Sequence, residues 1–186
     1  MRDCCTVSTG SASEPARQPA SDLPLPLRDR CPHCGAKGKK VGQLTVKAML
    51  AVSLRNLKSR RYRFCRTASC PVVYFAEETE EFYTIHQLRE RVFQKEPGAD
   101  DVRVCYCFAY TPATIRQEYE ASGKVTAVEV IKAGVKAGQC ACEVRNPQGS
   151  CCLGNVRAVV EQVVGASAAG PTLAPGEAER PVGPPR

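Results

Sequence analysis

Twelve cysteines in 186 residues define the chemistry open to this chain. Cys31-Pro-His-Cys34 is followed thirty residues later by Cys65-x4-Cys70. Two short knuckles, each aiming paired sulfurs at one point while nearby amides support thiolate charge, suit a closed tetrahedral Zn2+ site. Such a site has no open position, so it braces a fold and does not catalyse. His33 could replace one of these ligands; a solvent-exposed knuckle residue is the simpler reading. A second gathering opens with Cys105-Tyr-Cys107 and closes with Cys140-Ala-Cys142 and Cys151-Cys152, six thiols at the two ends of about 45 residues. Four thiolates hold a [2Fe-2S] cluster, and a cluster so held passes single electrons. Cys105 and Cys107 can approach one iron. Cys142 and Cys151 are the expected holders of the other, with Cys140 and Cys152 as alternates. Adjacent Cys4 and Cys5 read as incidental thiols.

No other catalytic arrangement competes. Both histidines lie in the first half, and neither a glycine-rich phosphate loop nor a paired-acid motif is present. The chain therefore reads as an electron-transfer protein more than an enzyme, with metal-ion reduction the one reaction within its reach.

These cysteines need elements to position them. In the first block, Val41 to Leu44 reads as a short strand. A helix capped by Thr45 follows, with Val46, Met49, Leu50, Leu54 and Leu57 on its apolar face. Arg60–Phe64, Val72–Phe75 and Phe82–Ile85 read as strands and Gln87–Phe93 as a short helix. Glu96-Pro-Gly-Ala-Asp100 is a turn or linker. The second block starts with a strand, Val102–Val104, that delivers Cys105. Thr111-Pro112 caps a helix carrying Ile115 and Tyr119, ended by Ser122-Gly123. Val128, Ile131 and Val135 mark a second helix stopped by Gly138, and Val156, Val159, Val160, Val163 and Val164 a third that starts near Leu153. Asn146-Pro-Gln-Gly149 is a turn that folds Cys142 back toward Cys151, with Glu143 to Ser150 as the intervening loop. Positive helix ends near Cys107 and Cys151 would stabilise an anionic cluster.

The fold class is thus α+β: a zinc-knuckle subdomain with a short antiparallel sheet and one helix over residues 29–99, then a mostly helical cluster-binding subdomain over 100–165. Residues 1–28 and 166–186, rich in Ser, Ala, Gly and Pro, are expected to be disordered tails. Blocks of this size bury little apolar surface, so metal crosslinks would help each to fold. The stretch after Met1 is polar, which points to a reducing cytoplasm, where spaced cysteines favour metals over disulfides. With no run of about 18 apolar residues, no membrane insertion is expected.

The formal charge of +7 permits an acidic partner or nucleic acid without requiring either. Arg55, Lys58, Arg60, Arg61, Arg63 and Arg66 form a basic run, followed by Glu77-Glu78-Thr79-Glu80-Glu81. A solvated face is the preferred reading. An acidic redox partner could dock there, and the alternative function is a zinc-braced module that binds nucleic acid or protein without redox activity.

At Cys31-Pro-His-Cys34, at Phe64-Cys65-Arg-Thr-Ala-Ser-Cys70 leading into Val72-Val-Tyr-Phe75, at Cys105-Tyr-Cys107 and at Cys142-Glu-Val-Arg-Asn-Pro-Gln-Gly-Ser-Cys151-Cys152, the chain resembles the iron-sulfur and zinc-binding domain of the CopZ family of copper chaperones. The resemblance covers about residues 30 to 165, and the second block is also similar to bacterioferritin-associated ferredoxin. It implies a structural zinc joined to a [2Fe-2S] cluster that serves copper or other heavy-metal homeostasis, reducing Cu(II) so that a chaperone can carry Cu(I). Full chaperones of that kind append a domain bearing Met-x-Cys-x-x-Cys, whose soft sulfurs select Cu(I). Residues 166–186 contain no cysteine. The expected partners are therefore a redox protein and a separate copper chaperone or transporter.

Overall fold

The computed structural model describes residues 28–168, with side chains through residue 166. Cys4, Cys5 and the expectations for most of both tails lie outside the described residues.

Four short strands, β1 (Lys39–Val41), β2 (Tyr62–Phe64), β3 (Val72–Ala76) and β4 (Phe82–Thr84), form one antiparallel sheet in sequence order. β3 is buried along its whole length, as suits its run of β-branched and aromatic residues between two neighbours. Its pairing with β4 slips between Val72 and Tyr74, and the side chains divide accordingly. Val72 and Phe75 join Cys31, Cys65 and Cys70, whereas Val73, Tyr74 and Ala76 join Tyr62, Phe64 and the helix α1 (Gln43–Met49) through Val46 and Met49.

The helix expected from Thr45 to Leu57 is α1, which starts at Gln43 and has only seven residues, with Thr45 buried inside it. What stops it is tertiary. Ala51 N–H donates to Gln87 O, Arg89 N–H donates to Met49 O, and Leu50 pairs with Leu88, so this stretch is drawn into an extended contact. For the same reason Gln87–Phe93 is not a helix; only single 3-10 turns stand at Ile85–Gln87 and Phe93–Lys95. The expected strand Val102–Val104 is also absent. Its valines are buried without a partner strand, and a lone bridge joins Cys105 to Tyr110.

Helices make up the second block: α2 (Pro112–Ser122), α3 (Ala127–Lys136), α4 (Cys142–Arg145) and α5 (Leu153–Ala168). Thr111 caps α2 from its hydroxyl, Pro112 fills the first helical position, and Gly123 closes it in the left-handed conformation. α2 and α3 pack on α5, burying Ile115, Ile131, Val156 and Val159 together with Cys105 and Cys152. Each such aliphatic side chain contributes about 1.5–3 kcal/mol of burial. α5 runs three residues past the boundary expected at 165, and α4 stands where only a loop was expected.

The turn near residue 99 does not leave the blocks apart. α4 packs on α1, and the chain after it lies across the sheet. Tyr74 Oη donates to Pro147 O at 2.6 Å, Gln94 Nε2 donates to Gln148 Oε1 at 2.7 Å, and Lys39 Nζ donates to Ser150 Oγ.

Candidate metal centres

Cys31, Cys34, Cys65 and Cys70 come together with all four sulfurs within 4.8 Å of one another. Cys31 Sγ lies 3.8 Å from Cys70 Sγ, and Cys34 Sγ lies 3.6 Å from Cys65 Sγ. Sulfurs at about 2.3 Å from a tetrahedral Zn2+ would be separated by about 3.8 Å, so the cage has the size of the ion. The first knuckle forms because Cys31 N–H donates to Ala36 O and Gly35 N–H to Cys31 O, a reversal that puts Gly35 at φ +71°. The second follows β2 and returns into β3, with Cys65 N–H donating to Val73 O.

Burial raises the Cys31 thiol and pushes Cys70 up to about 12. Burial also raises Cys34, but hydrogen bonds from Thr67, the Ala36 amide and the neighbouring thiols outweigh it and bring this thiol down to about 6. Sulfurs this close cannot all ionise unaided, and a dication removes the conflict. His33 Nδ1 lies 3.6 Å from Cys70 Sγ, beside a sulfur set that is complete without it. Lys95, almost fully buried, donates to Thr67 O at 2.8 Å and ties the Cys65–Cys70 loop to the following segment.

In the second gathering Cys105 and Cys152 are both buried in one core, and Cys107 Sγ lies 3.8 Å from Cys142 Sγ. The Cys152 hydrogen bond and the amides of Cys107 and Phe108 lower the Cys105 thiol to about 6, against the effect of burial. Cys152 is raised by that same hydrogen bond and by burial, while burial and then the charge of Cys107 push Cys142 to about 12. Ala141 N–H donates to Cys107 Sγ at 3.4 Å. Cys107 and Cys142 are spaced for one tetrahedral ion, and with Cys105 and Cys152 buried beside them the four thiols are a donor set of the type that holds a binuclear cluster. Cys151 is exposed, and Cys140 is half-buried near Cys142.

Of the residues expected here, Cys107 and Cys142 lie side by side, Cys105 is buried in one core with the alternate Cys152, and Cys151 is exposed. The signal for that burial was in the sequence. Cys152, Val156, Val159 and Val163 follow the buried stripe of α5, and Cys151 is off it. Asn146-Pro-Gln-Gly149 does turn: Gly149 N–H donates to Asn146 O at 2.8 Å, and the buried Asn146 side chain donates to Ser150 O. The left-handed Ala109, at φ 59°, closes the Cys105 knuckle and carried no sequence signal.

Half of the basic run is neutralised by the acidic run that folds back on it. Arg60 pairs with Glu81, Arg61 with Glu78 at 2.6 Å, and Arg63 with buried Glu77 at 2.7 Å. Arg55, Lys58 and Arg66 stay exposed, with no ion pair among the described residues. Among the described residues, no helix is long and apolar enough to cross a membrane.

The zinc binding domain model of the CopZ type matches residues 28–89. The chain is 38% identical over 123 residues to "Copper chaperone CopZ" of Archaeoglobus fulgidus, an alignment covering 66% of this chain and 57% of that protein's length. The X-ray structure of the Archaeoglobus fulgidus CopZ N-terminal domain superposes with a TM-score of 0.58 at 35% identity, covering 70% of this chain and 96% of the other.

Proposed function

The chain belongs to the CopZ family, and from that premise we propose a one-electron transfer protein of copper or other heavy-metal homeostasis, acting in the cytoplasm. Cys31, Cys34, Cys65 and Cys70 hold a structural Zn2+, and Cys105, Cys107, Cys142 and Cys152 hold a [2Fe-2S] cluster. When bound, the cluster supplies one reversible electron. The observation that carries this reading is Cys107 Sγ at 3.8 Å from Cys142 Sγ beside Cys105 and Cys152 buried in one core.

What these residues do is hold charge and exclude water. Cys152 accepts Val156 N–H through its carbonyl at the start of α5, so the pair it forms with Cys105 sits at a positive helix end. The Ala141 amide and the amides of the Cys105 knuckle add donors to the sulfurs, which raises a reduction potential. Cupric ion gaining one electron becomes the cuprous ion that a thiolate carrier prefers. The carrier is a separate chaperone or transporter, and a redox protein refills the centre.

The test is anaerobic purification with iron, acid-labile sulfide and zinc quantified per chain, followed by reductive titration and mixing with Cu(II) and a cuprous chelator. About two irons, two sulfides and one zinc are expected, with one cuprous ion formed per reduced cluster. Zinc without sulfide after reconstitution would leave a zinc-braced binding module.

A further inference from the structure

Next to the Cys105 knuckle, at the seam between the two blocks, lies a cleft of about 140 Å3 walled by Ala48, Met49 and Tyr106 and bordered by Arg89, Arg103 and Arg145. A shallower hollow of about 320 Å3 shares Arg89, Arg103 and Tyr106 with it. The phenol of Tyr106 is already committed, donating to Arg91 O at 2.7 Å and accepting from Phe93 N–H, so its ring serves as a fixed wall. Arg89 and Arg145 are exposed, and neither guanidinium has a carboxylate within ion-pair range among the described residues. Arg103 reaches Glu90 only at 3.3 Å, and Glu90 is the one carboxylate lining the cleft. Glu143 stands outside it on α4.

This contrasts with the Arg60–Arg63 run, whose guanidinium groups are matched by acids. Here Arg103 alone is paired, with Glu90, while Arg89 and Arg145 carry unspent charge beside an apolar centre of Ala48, Met49 and Val144. A charged rim around an apolar centre is the pattern of a protein interface. Its place is informative too. Tyr106 sits between Cys105 and Cys107, and Arg145 ends the helix that begins at Cys142.

We propose that this seam is the docking surface for an acidic electron-transfer protein, a proposal that rests on the electron-transfer reading above. Acidic side chains of the partner pair with Arg89, Arg103 and Arg145 and bring its redox centre against the Cys105–Cys107 edge. The cluster that Cys105, Cys107, Cys142 and Cys152 would hold would be reduced by one electron from the ferrous iron of the partner's reduced cluster, which would be oxidised in turn, with no proton or bond moved.

The experiment uses the full chain holding zinc and cluster, with a plant-type [2Fe-2S] ferredoxin of acidic surface as the probe. Calorimetric titration of the two oxidised proteins at low ionic strength should give saturable binding that weakens as salt is added. The double variant R89E/R145E should raise Kd about tenfold or more, whereas R55E/K58E, an equal charge change elsewhere, should raise it by only about threefold or less. Stopped-flow reduction by methyl viologen radical, a small donor needing no docking surface, should remain within about twofold for every variant whose fold is intact. Equal weakening by both double variants would reduce the effect to net charge and overturn the proposal, as would an unchanged Kd for R89E/R145E. Saturable inorganic phosphate binding lost in R89E/R145E, without ferredoxin binding, would make the cleft a small-anion site instead. A wild-type cluster that viologen cannot reduce would sink the electron-transfer reading itself, and the docking proposal with it.

Discussion

In the first block the four sulfurs converge from two turns on a sheet, with Cys31, Cys65 and Cys70 buried against Val72 and Phe75. In the second, the thiols come from one knuckle, the start of α4 and the start of α5, Cys107 beside Cys142 and Cys105 buried with Cys152. Both knuckles reverse the chain through a left-handed residue, Gly35 in one and Ala109 in the other. The first cage is held by its own strands. The second is assembled partly on the first, because the chain from α4 to Ser150 lies on α1 and the sheet. One centre is a foundation and the other is built on it.

The dependence should run one way. Cys65→Ser opens the zinc cage, and structural Zn2+ in small domains supplies about 10–16 kcal/mol of folding free energy. The expected result is zinc content near zero, loss of a cooperative thermal transition and, because the α4 loop loses its support, loss of cluster iron as well. Cys105→Ser should remove cluster iron and sulfide while zinc stays at about one per chain. Metal analysis with thermal circular dichroism separates the two. Zinc-free protein that keeps a full cluster would show that the second centre stands unaided.

The next largest effect separates adjacent thiols. Cys152→Ser removes a buried partner of Cys105 and should abolish acid-labile sulfide after reconstitution. Cys151→Ser alters an exposed side chain and should leave the visible spectrum and sulfide content unchanged within about a tenth. The reverse outcome would return the cluster to Cys151.

A smaller effect is expected at the seam. Gly149 has φ +64°, and a Cβ there would sit 2.8 Å from Thr45 Oγ1 and from Val41 Cγ2. Gly149→Ala therefore combines backbone strain with overpacking, and a loss of about 1–3 kcal/mol in urea unfolding is expected. If the cluster leans on this contact, iron should also be released faster to a chelator in the variant.

What could be read in advance was what is encoded locally. The Thr111-Pro112 cap, the Gly123 stop and the stripe of α5 each depend on residues within a turn or two, and all appear in the structure. The zinc cysteines were legible because both knuckles are short and self-contained. The failures lie where distant contacts decide. α1 ends at Met49 because Gln87 and Arg89 capture residues 49–51 from across the block, which no window around Leu54 reveals. Cys152 stood only as an alternate ligand, although the valine stripe behind it already assigned it to the core. The residue-99 turn marks a boundary in the sequence, and the Tyr74–Pro147, Gln94–Gln148 and Lys39–Ser150 hydrogen bonds with the α1–α4 contact join the two sides.

The smallest expected effect concerns a surface pair that ties the helical block to its leading turn. Arg116 donates to both oxygens of Asp100, at 2.8 and 2.9 Å, and holds that carboxyl below its usual range. A carboxyl with a depressed folded-state pKa contributes stability above its unfolded value of about 3.9 and loses it as pH falls through the lower folded value. Both partners are fully exposed, so solvent screens the interaction and the effect is slight. Arg116→Met should therefore be slightly less stable than wild type at pH 7, with the difference fading on acidification below the carboxylate range. Because both proteins lose metal together in acid, the difference between their urea midpoints isolates the pair. A gap that persists at the acidic end would assign Arg116 a packing role along the groove between α2 and α5 instead of an ionic one.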